Sequence, residues 1–367
     1  MNQPASDAET QAMRHALALA GRGVRGANPL VGSAVLDQGG AVIGTGYHRG
    51  AGTPHAEVDA LADAATRRTD LSGCTLICTL EPCNHAGRTG PCTEAISAAG
   101  ITRVVYAADD VHGPAAGGAG WLRDRGVDTV GGLLADQAHH MNHRWRDATS
   151  SHRPFVTLKI AQTLDGRVAA ADGTSQWITG PESRTDGQAI RWRADAVLVG
   201  TGTVFADNPR LSARHPDGSD AAHQPLRVAM GLRHVPEDAA IRSGRFLQLT
   251  TRDPWDAVKQ LAGDGVGHLM IEGGPTIASA FLAAGLVDEL VIYQAPILLG
   301  AGTPAVQSLG VSSLGDASTW ILDPHGGDAV TQCGSDIRLH LSPAPAGHPT
   351  LSQTTPSSKG PTTCSQE

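Results

Sequence analysis

Four residues with metal-ligand and proton-transfer chemistry fall in three short segments. His55 and Glu57 share His55-Ala56-Glu57, while Cys83 and Cys92 each follow a proline, in Glu81-Pro82-Cys83 and Pro91-Cys92. One imidazole and two thiolates suit a borderline-soft ion such as zinc, and three protein ligands leave a fourth position for water, as catalysis needs. Zinc lowers the pKa of that water toward about 7. Glu57, two residues past His55 at an expected helix start, reaches the water without being a ligand and is the candidate for moving its proton to a departing amine. Cys92 opens an expected helix, whose N-terminus favours a thiolate. The set points to zinc-dependent hydrolytic deamination of an amino-heterocycle. Taken singly, a His-x-Glu is an ordinary polar feature and a lone Cys a small buried apolar residue; it is the combination with both Pro-Cys pairs that favours a metal. Cys74 and Cys78 fall on one face of an expected strand with Leu76 and Leu80 and read as core, Cys333 falls in a Gly-rich loop, and Cys364 in the C-terminal tail.

Eight residues, Asn84 to Pro91, separate the two ligand cysteines, where many base deaminases have two. A longer insert carrying His85 and Arg88 beside the metal suits a substrate with a phosphate attached. In the second half of the chain, Lys159 closes a strand on which Phe155, Thr157 and Lys159 point one way. Gly200-Thr201-Gly202-Thr203 and Glu272-Gly273-Gly274-Pro275-Thr276 follow apolar strands; both are turns whose backbone N–H groups can cradle a phosphate. Neither is a Rossmann fingerprint, because Phe205 stands where the third glycine belongs.

These residues need a scaffold, and the pattern around them alternates strands with helices. A capping box, Ser6-Asp7-Ala8-Glu9, starts a helix with Met13, Ala16, Leu17 and Ala20 on one face and Gly21 beyond its end. Strands are expected at Gly32–Leu36, Ala41–Gly46, Thr75–Thr79 and Arg103–Ala107, with helices at Ala56–Ala65 and Thr93–Ala99. After the polar stretch Arg144–Arg153 and Pro154, where a domain boundary is placed, strands are expected at Phe155–Ile160, Ala196–Val199, Leu226–Ala229, His268–Ile271 and Glu289–Tyr293. Helices are expected at Pro181–Ala194, Asp256–Leu261 and Thr276–Ala284. Both blocks are therefore α/β, each a central sheet covered by helices. The expected division is 1–148 for the zinc deaminase domain, 149–342 for a second α/β domain and 343–367 for a disordered tail rich in Pro, Ser, Thr and Gly.

The 367 residues carry 28 Lys+Arg against 36 Asp+Glu, a net charge of −8, which disfavours a nucleic-acid partner. At 40% hydrophobic and 17% charged the chain is globular. It has no apolar run approaching the roughly 18 residues of a membrane span, and its start, Met-Asn-Gln-Pro-Ala-Ser-Asp, lacks the basic and apolar segments of a leader; cytoplasmic localisation is expected. Six cysteines in 367 residues are too few for a disulfide scaffold.

Asn28-Pro29-Leu30-Val31-Gly32, Gly46-Tyr47-His48, His55-Ala56-Glu57 and the run from Thr79 to Cys92 together resemble the deaminase half of the bifunctional riboflavin-biosynthesis deaminase-reductases. The resemblance implies a cytidine-deaminase-like fold that removes an amino group from a phosphoribosylamino-pyrimidinone. It implies zinc ligation by His55, Cys83 and Cys92, a proton shuttle at Glu57, and substrate contacts from Asn28, His48, His85 and Arg88. The runs 159–166, 175–179, 202–209 and 272–276 resemble the reductase half, which is similar in fold to dihydrofolate reductase and uses NADPH. That likeness implies cofactor contacts from Ala161, Trp177, Thr203, Asp207 and the Gly274–Ala280 turn and helix. It implies substrate contacts from Ser175, Arg191, Leu211, Arg214 and Glu272, with Lys159 and Glu272 as candidates for polarising the reacting sugar carbon.

The chain departs from that family at four places. Asp110-Val111-His112-Gly113-Pro114 and Gly118-Ala119-Gly120 stand where the family tends to have Asp-Pro-Asn-Pro and Gly-Arg-Gly; Val228-Ala229-Met230-Gly231-Leu232 stands where an acidic residue and Ser are common; and Thr250–His268 is shorter than usual. Two rivals follow: a zinc deaminase with an inactive reductase domain, and a non-catalytic zinc module in which His85 or Cys78 closes the metal. The partner expected on the main reading is a phosphorylated pyrimidine, with a homo-oligomer possible.

Overall fold

The computed structural model describes residues 4–23, 28–50, 53–85, 90–113, 115–323 and 328–344. Arg88 and all but the first two residues of the expected tail lie outside them. The first half runs α1 (Asp7–Ala20), β1 (Gly32–Leu36), β2 (Val42–Tyr47), α2 (Ala56–Arg67), β3 (Thr75–Leu80), α3 (Cys92–Ala98), β4 (Arg103–Ala108), α4 (Gly118–Arg123), β5 (Asp128–Val130), α5 (Ala135–Met141) and α6 (His143–Ser151). Its sheet has the order β2-β1-β3-β4-β5. β1 is antiparallel to β2 and β3, while β3, β4 and β5 are parallel. The capping box at Ser6 and Glu9 is formed. α2 lies so close to β2 that a Cβ on Gly46 would sit 2.4 Å from the Ala60 nitrogen; glycine at that position is what lets the helix carrying Glu57 rest on the sheet.

The second half runs β6 (Phe155–Thr163), β7 (Arg167–Ala169), α7 (Pro181–Arg193), β8 (Ala196–Gly200), α8 (Thr201–Asp207), β9 (Leu226–Met230), β10 (Phe246–Leu249), α9 (Pro254–Gly263), β11 (His268–Ile271), α10 (Pro275–Ala283), β12 (Glu289–Ala295), β13 (Thr303–Pro304), β14 (Trp320–Leu322), β15 (Val330–Cys333) and β16 (Asp336–Pro343). The large sheet has the order β10-β9-β8-β11-β6-β12-β16-β14, with β15 also on β16. From β10 to β12 the strands are parallel and read as apolar runs, as strands covered on both faces do. Their core includes Leu158, Leu198, Met230, Leu269 and Phe281. The short Thr250–His268 stretch still holds a complete helix, α9, capped by Asp253.

Three features differ from expectation. The polar stretch Arg144–Arg153 is largely helical, and position 148 falls inside α6. Cys333 is not in a loop; it ends β15 and packs against Val291 and Tyr293. The segment before the tail forms strands that complete the sheet edge. Among the described residues no helix is long and apolar enough to cross a membrane.

At the junction of the halves, Asn142 clamps the Leu30 backbone, accepting its N–H at 2.8 Å and donating to its carbonyl at 2.9 Å. Two residues on, Arg144 pairs with Glu289 at the start of β12. Glu289 is buried and also accepts from Thr157 at 2.5 Å, with His340 Nε2 2.5 Å from its other oxygen. Burial pushes this carboxyl up, but the Arg144 charge and the bonds from His340 and Arg144 outweigh it, holding it well below the usual range.

Candidate active sites on the two sheets

Two loops and two helix starts meet at the end of the parallel strands in the first half. His55 is the N-cap of α2 and Cys92 the first residue of α3, while Cys83 follows β3. Their donor atoms lie within 4.8 Å of one another, with His55 Nδ1 3.4 Å from Cys83 Sγ and 3.3 Å from Cys92 Sγ. Bonds from Cys92 and His55, working against burial, pull the Cys83 thiol down to about 4, and the Cys92 thiol is correspondingly held up by its bond to Cys83 and by burial. One imidazole nitrogen and two sulfurs converging at this spacing fit zinc. Neither Cys78 nor His85 belongs to the cluster, so among the described residues the donor set is the three-ligand, open kind.

Glu57 is buried beside this triangle; burial and the Cys83 charge raise its carboxyl to about 7. Behind it Cys78 donates to the Leu80 carbonyl and lies 3.9 Å from Glu57 Oε1, so this residue, expected simply as core, also borders the site. The period-two spacing from Cys74 carried its burial but not this contact. The buried His48 ring stands edge-on to His55 at 5.6 Å, and burial pushes its pKa down. His85 presents a buried Nδ1 with no hydrogen-bond partner among the described residues, 6.0 Å ring to ring from His112. Asn28 lines a small crevice with Asn142, Arg144 and His268. Glu81 was passed over in the sequence; its carboxylate accepts from the Ala119 and Asp110 backbones and so holds the loops around the centre.

In the second half a cleft of about 940 Å³ opens over the C-terminal ends of the parallel strands, where α/β sheets bind ligands. Of the expected residues, Lys159, Ala161, Ser175, Trp177, Thr203, Asp207, Glu272 and Gly274 line it. Glu272 is bound by Arg191 through both oxygens, at 2.5 and 2.8 Å. Burial raises its carboxyl, but Arg191, then Lys159 and Arg214, outweigh this and hold it at about 2. Burial depresses the Lys159 amine, opposed by the Glu272 charge. Arg191 is thus engaged by Glu272, Leu211 is packed in the apolar cluster with Val204 and Ala229, and Arg214 acts on Glu272 through its charge; none of the three lines the cleft. A Cβ on Gly200 or Gly273 would press on Ile277 at 2.9 and 2.8 Å, so both turns leave bare backbone at the cleft floor beside the start of α10. Such a floor fits a dinucleotide pyrophosphate. Arg184, stacked 4.6 Å over Trp177, together with Arg233 and Arg252, also lines the cleft. The sequence reading missed these three, although Arg233 and Arg252 sit just past strand ends, where lining residues are expected.

An open zinc centre backed by a buried carboxyl, joined to a sheet with a dinucleotide cleft, defines the class: a zinc-dependent deaminase fused to a nucleotide-dependent reductase. Comparison with known proteins gives the particular family. Residues 6–108 match the cytidine and deoxycytidylate deaminase zinc-binding region and residues 154–325 the RibD C-terminal domain. The chain is 42% identical to the riboflavin biosynthesis protein RibD of Mycobacterium tuberculosis over 85% of its length and 90% of that protein. It is 45% identical to RibD of Corynebacterium ammoniagenes over 80% and 87%. The solved structure of Acinetobacter baumannii RibD superposes with a TM-score of 0.83 at 34% identity, covering 92% of this chain and 99% of that one. A Thermotoga maritima structure described as a diaminohydroxyphosphoribosylaminopyrimidine deaminase/5-amino-6-(5-phosphoribosylamino)uracil reductase superposes at 0.79 with 28% identity, over 92% and 99%. The chain belongs to the RibD family of riboflavin biosynthesis, bifunctional deaminase-reductases with zinc and NADPH as cofactors.

Proposed function

We propose that the chain deaminates 2,5-diamino-6-(5-phosphoribosylamino)pyrimidin-4-one and then reduces the ribosyl chain of the product to a ribityl chain. The observation that carries this reading is the convergence of His55, Cys83 and Cys92 beside the buried Glu57, in one chain with the Lys159–Glu272 cleft. We assign residues 1–148 to deamination and 149–342 to reduction. When bound, zinc makes hydroxide available at neutral pH and NADPH supplies the hydride. His55, Cys83 and Cys92 hold the metal. Glu57, buried and with its carboxyl raised, carries a proton from the attacking water to the departing amine. Asn28, His48, His85 and Arg88 contact the first substrate.

In the cleft, Ala161, Trp177, Thr203, Asp207 and Gly274 contact NADPH. Ser175 and Glu272 form the substrate side, with Arg191 and Arg214 acting on it through Glu272, and Lys159, beside Glu272, polarises the sugar carbon that accepts hydride. Fusing the two activities is sensible chemistry because the first product is the second substrate. On this reading the protein works in the cytoplasm on a phosphorylated small molecule, with neither nucleic acid nor membrane as partner, and the reading is compatible with a homo-oligomer.

The test follows ammonia release and NADPH oxidation separately on the zinc-loaded protein with the diaminopyrimidinone ribosyl phosphate. Ammonia release with coupled NADPH consumption is expected. Ammonia alone would mean an inactive reductase, and neither signal would overturn the assignment.

A further inference from the structure

The cleft has a direction. Lys159 and Glu272 mark its hydride end at β6 and β11, and the strands continue in the order β8, β9, β10. Four strand spacings of about 4.8 Å carry a ligand about 19 Å from β6 to β10. A dinucleotide laid along these strand ends, with its pyrophosphate over the Gly200 and Gly273 turns, brings its adenosine to the ends of β9 and β10.

At that far end Gly231, just past β9, has φ +144°, and a Cβ there would fall 2.4 Å from Thr201 Oγ1, so this turn takes no larger residue. Met230, the last residue of β9, carries no charge. Two guanidinium groups line the wall instead, Arg233 past β9 and Arg252 past β10. Arg233 stacks 4.3 Å over Phe205, and Gln248 of β10 pins its turn by donating to the Arg233 carbonyl at 2.7 Å and accepting from Val235 N–H at 3.0 Å. The side chains of Arg233 and Arg252 are exposed, and the ion pairs found among the described residues involve neither. Asp207 is the carboxylate lining this side of the cleft, and the two arginines outnumber it.

We infer that Arg233 and Arg252 together bind the 2′-phosphate of NADPH and are the residues by which this chain selects NADPH over NADH. The inference rests on the reading of this cleft as the NADPH site. Guanidinium groups match phosphate through paired N–H donors. An acidic side chain at such a strand end would accept from the free ribose hydroxyl of NADH and repel the phosphate, and here Met230 does neither.

The test is titration calorimetry on the full-length protein with NADPH, NADH, adenosine 2′,5′-bisphosphate and AMP, comparing wild type with Arg233→Gln, Arg252→Gln and the double variant. Each single change should weaken NADPH and the bisphosphate about 10–100-fold, the worth of a charge-assisted bond. NADH and AMP should be unaffected, and the double variant should lose the preference for NADPH. Unchanged melting temperatures would show that the variants fold. Equal weakening of NADPH and NADH, or unchanged binding of the bisphosphate, would overturn the inference while leaving the reductase reading standing. A wild-type protein that binds neither dinucleotide would overturn both.

Discussion

Replacing Arg144 with methionine removes the cation from a carboxylate that has almost no access to water. The Glu289 side chain is 3% exposed, and Arg144 reaches it across 145 positions of sequence. Thr157 and His340 remain as partners, and Arg193 contributes its charge from nearby, but no guanidinium then bonds the carboxylate. Breaking a buried pair by removing one member costs about 3–5 kcal/mol. For a unit of 150–250 residues each kcal/mol shifts the melting temperature by about 2–4 °C, so Arg144→Met should lower the melting of the large sheet by about 6–20 °C. The added change Glu289→Gln removes the orphaned charge and keeps an acceptor for Thr157, so the double variant should recover a substantial part of the loss, a coupling of about 0.5–3 kcal/mol. Calorimetric melting at pH 7 of the wild type, both single variants and the double variant measures this cycle. A single variant melting within about 2 °C of wild type, or a double variant no more stable than Arg144→Met, would refute the reasoning.

Two further outcomes are expected. Glu57→Gln should lower ammonia release by about 10²–10⁴-fold with zinc content unchanged by atomic absorption; retained deamination would overturn the proton-carrying role of Glu57. Glu272 has a folded pKa held down at about 2, so its stabilisation is fully present above the ordinary carboxyl range and is lost as the pH falls from about 4.5 toward 2. Acid unfolding of the wild type should therefore show a loss across that window that Glu272→Gln lacks, and parallel curves for the two proteins would contradict it.

The zinc centre was legible because its residues sit in short motifs whose side chains carry the chemistry in their types: His55, Glu57, Cys83 and Cys92 needed only strands and helices of ordinary length between them. The central strands were legible for the same local reason, since β8 and β11 are unbroken apolar runs. α6 was not. It buries none of its residues and so shows no apolar stripe; contacts of Asn142 and Arg144 with distant residues accompany its fold. Glu289 at a strand start reads as solvated, and its burial depends on Arg144 and His340, which no local pattern ties to it. The Arg233–Arg252 wall likewise joins two strand ends nineteen positions apart, a proximity that only the parallel pairing of β9 with β10 creates.

Asn142 and Arg144 are two residues apart, and they face opposite halves of the molecule: one grips the Leu30 backbone, the other the carboxylate of Glu289. The two halves are therefore held at a single break in the chain, Asn142 standing between α5 and α6 and Arg144 in the first turn of α6. A residue inserted between them would change the spacing of the two grips, so a change of length at this one point should be felt by both halves at once.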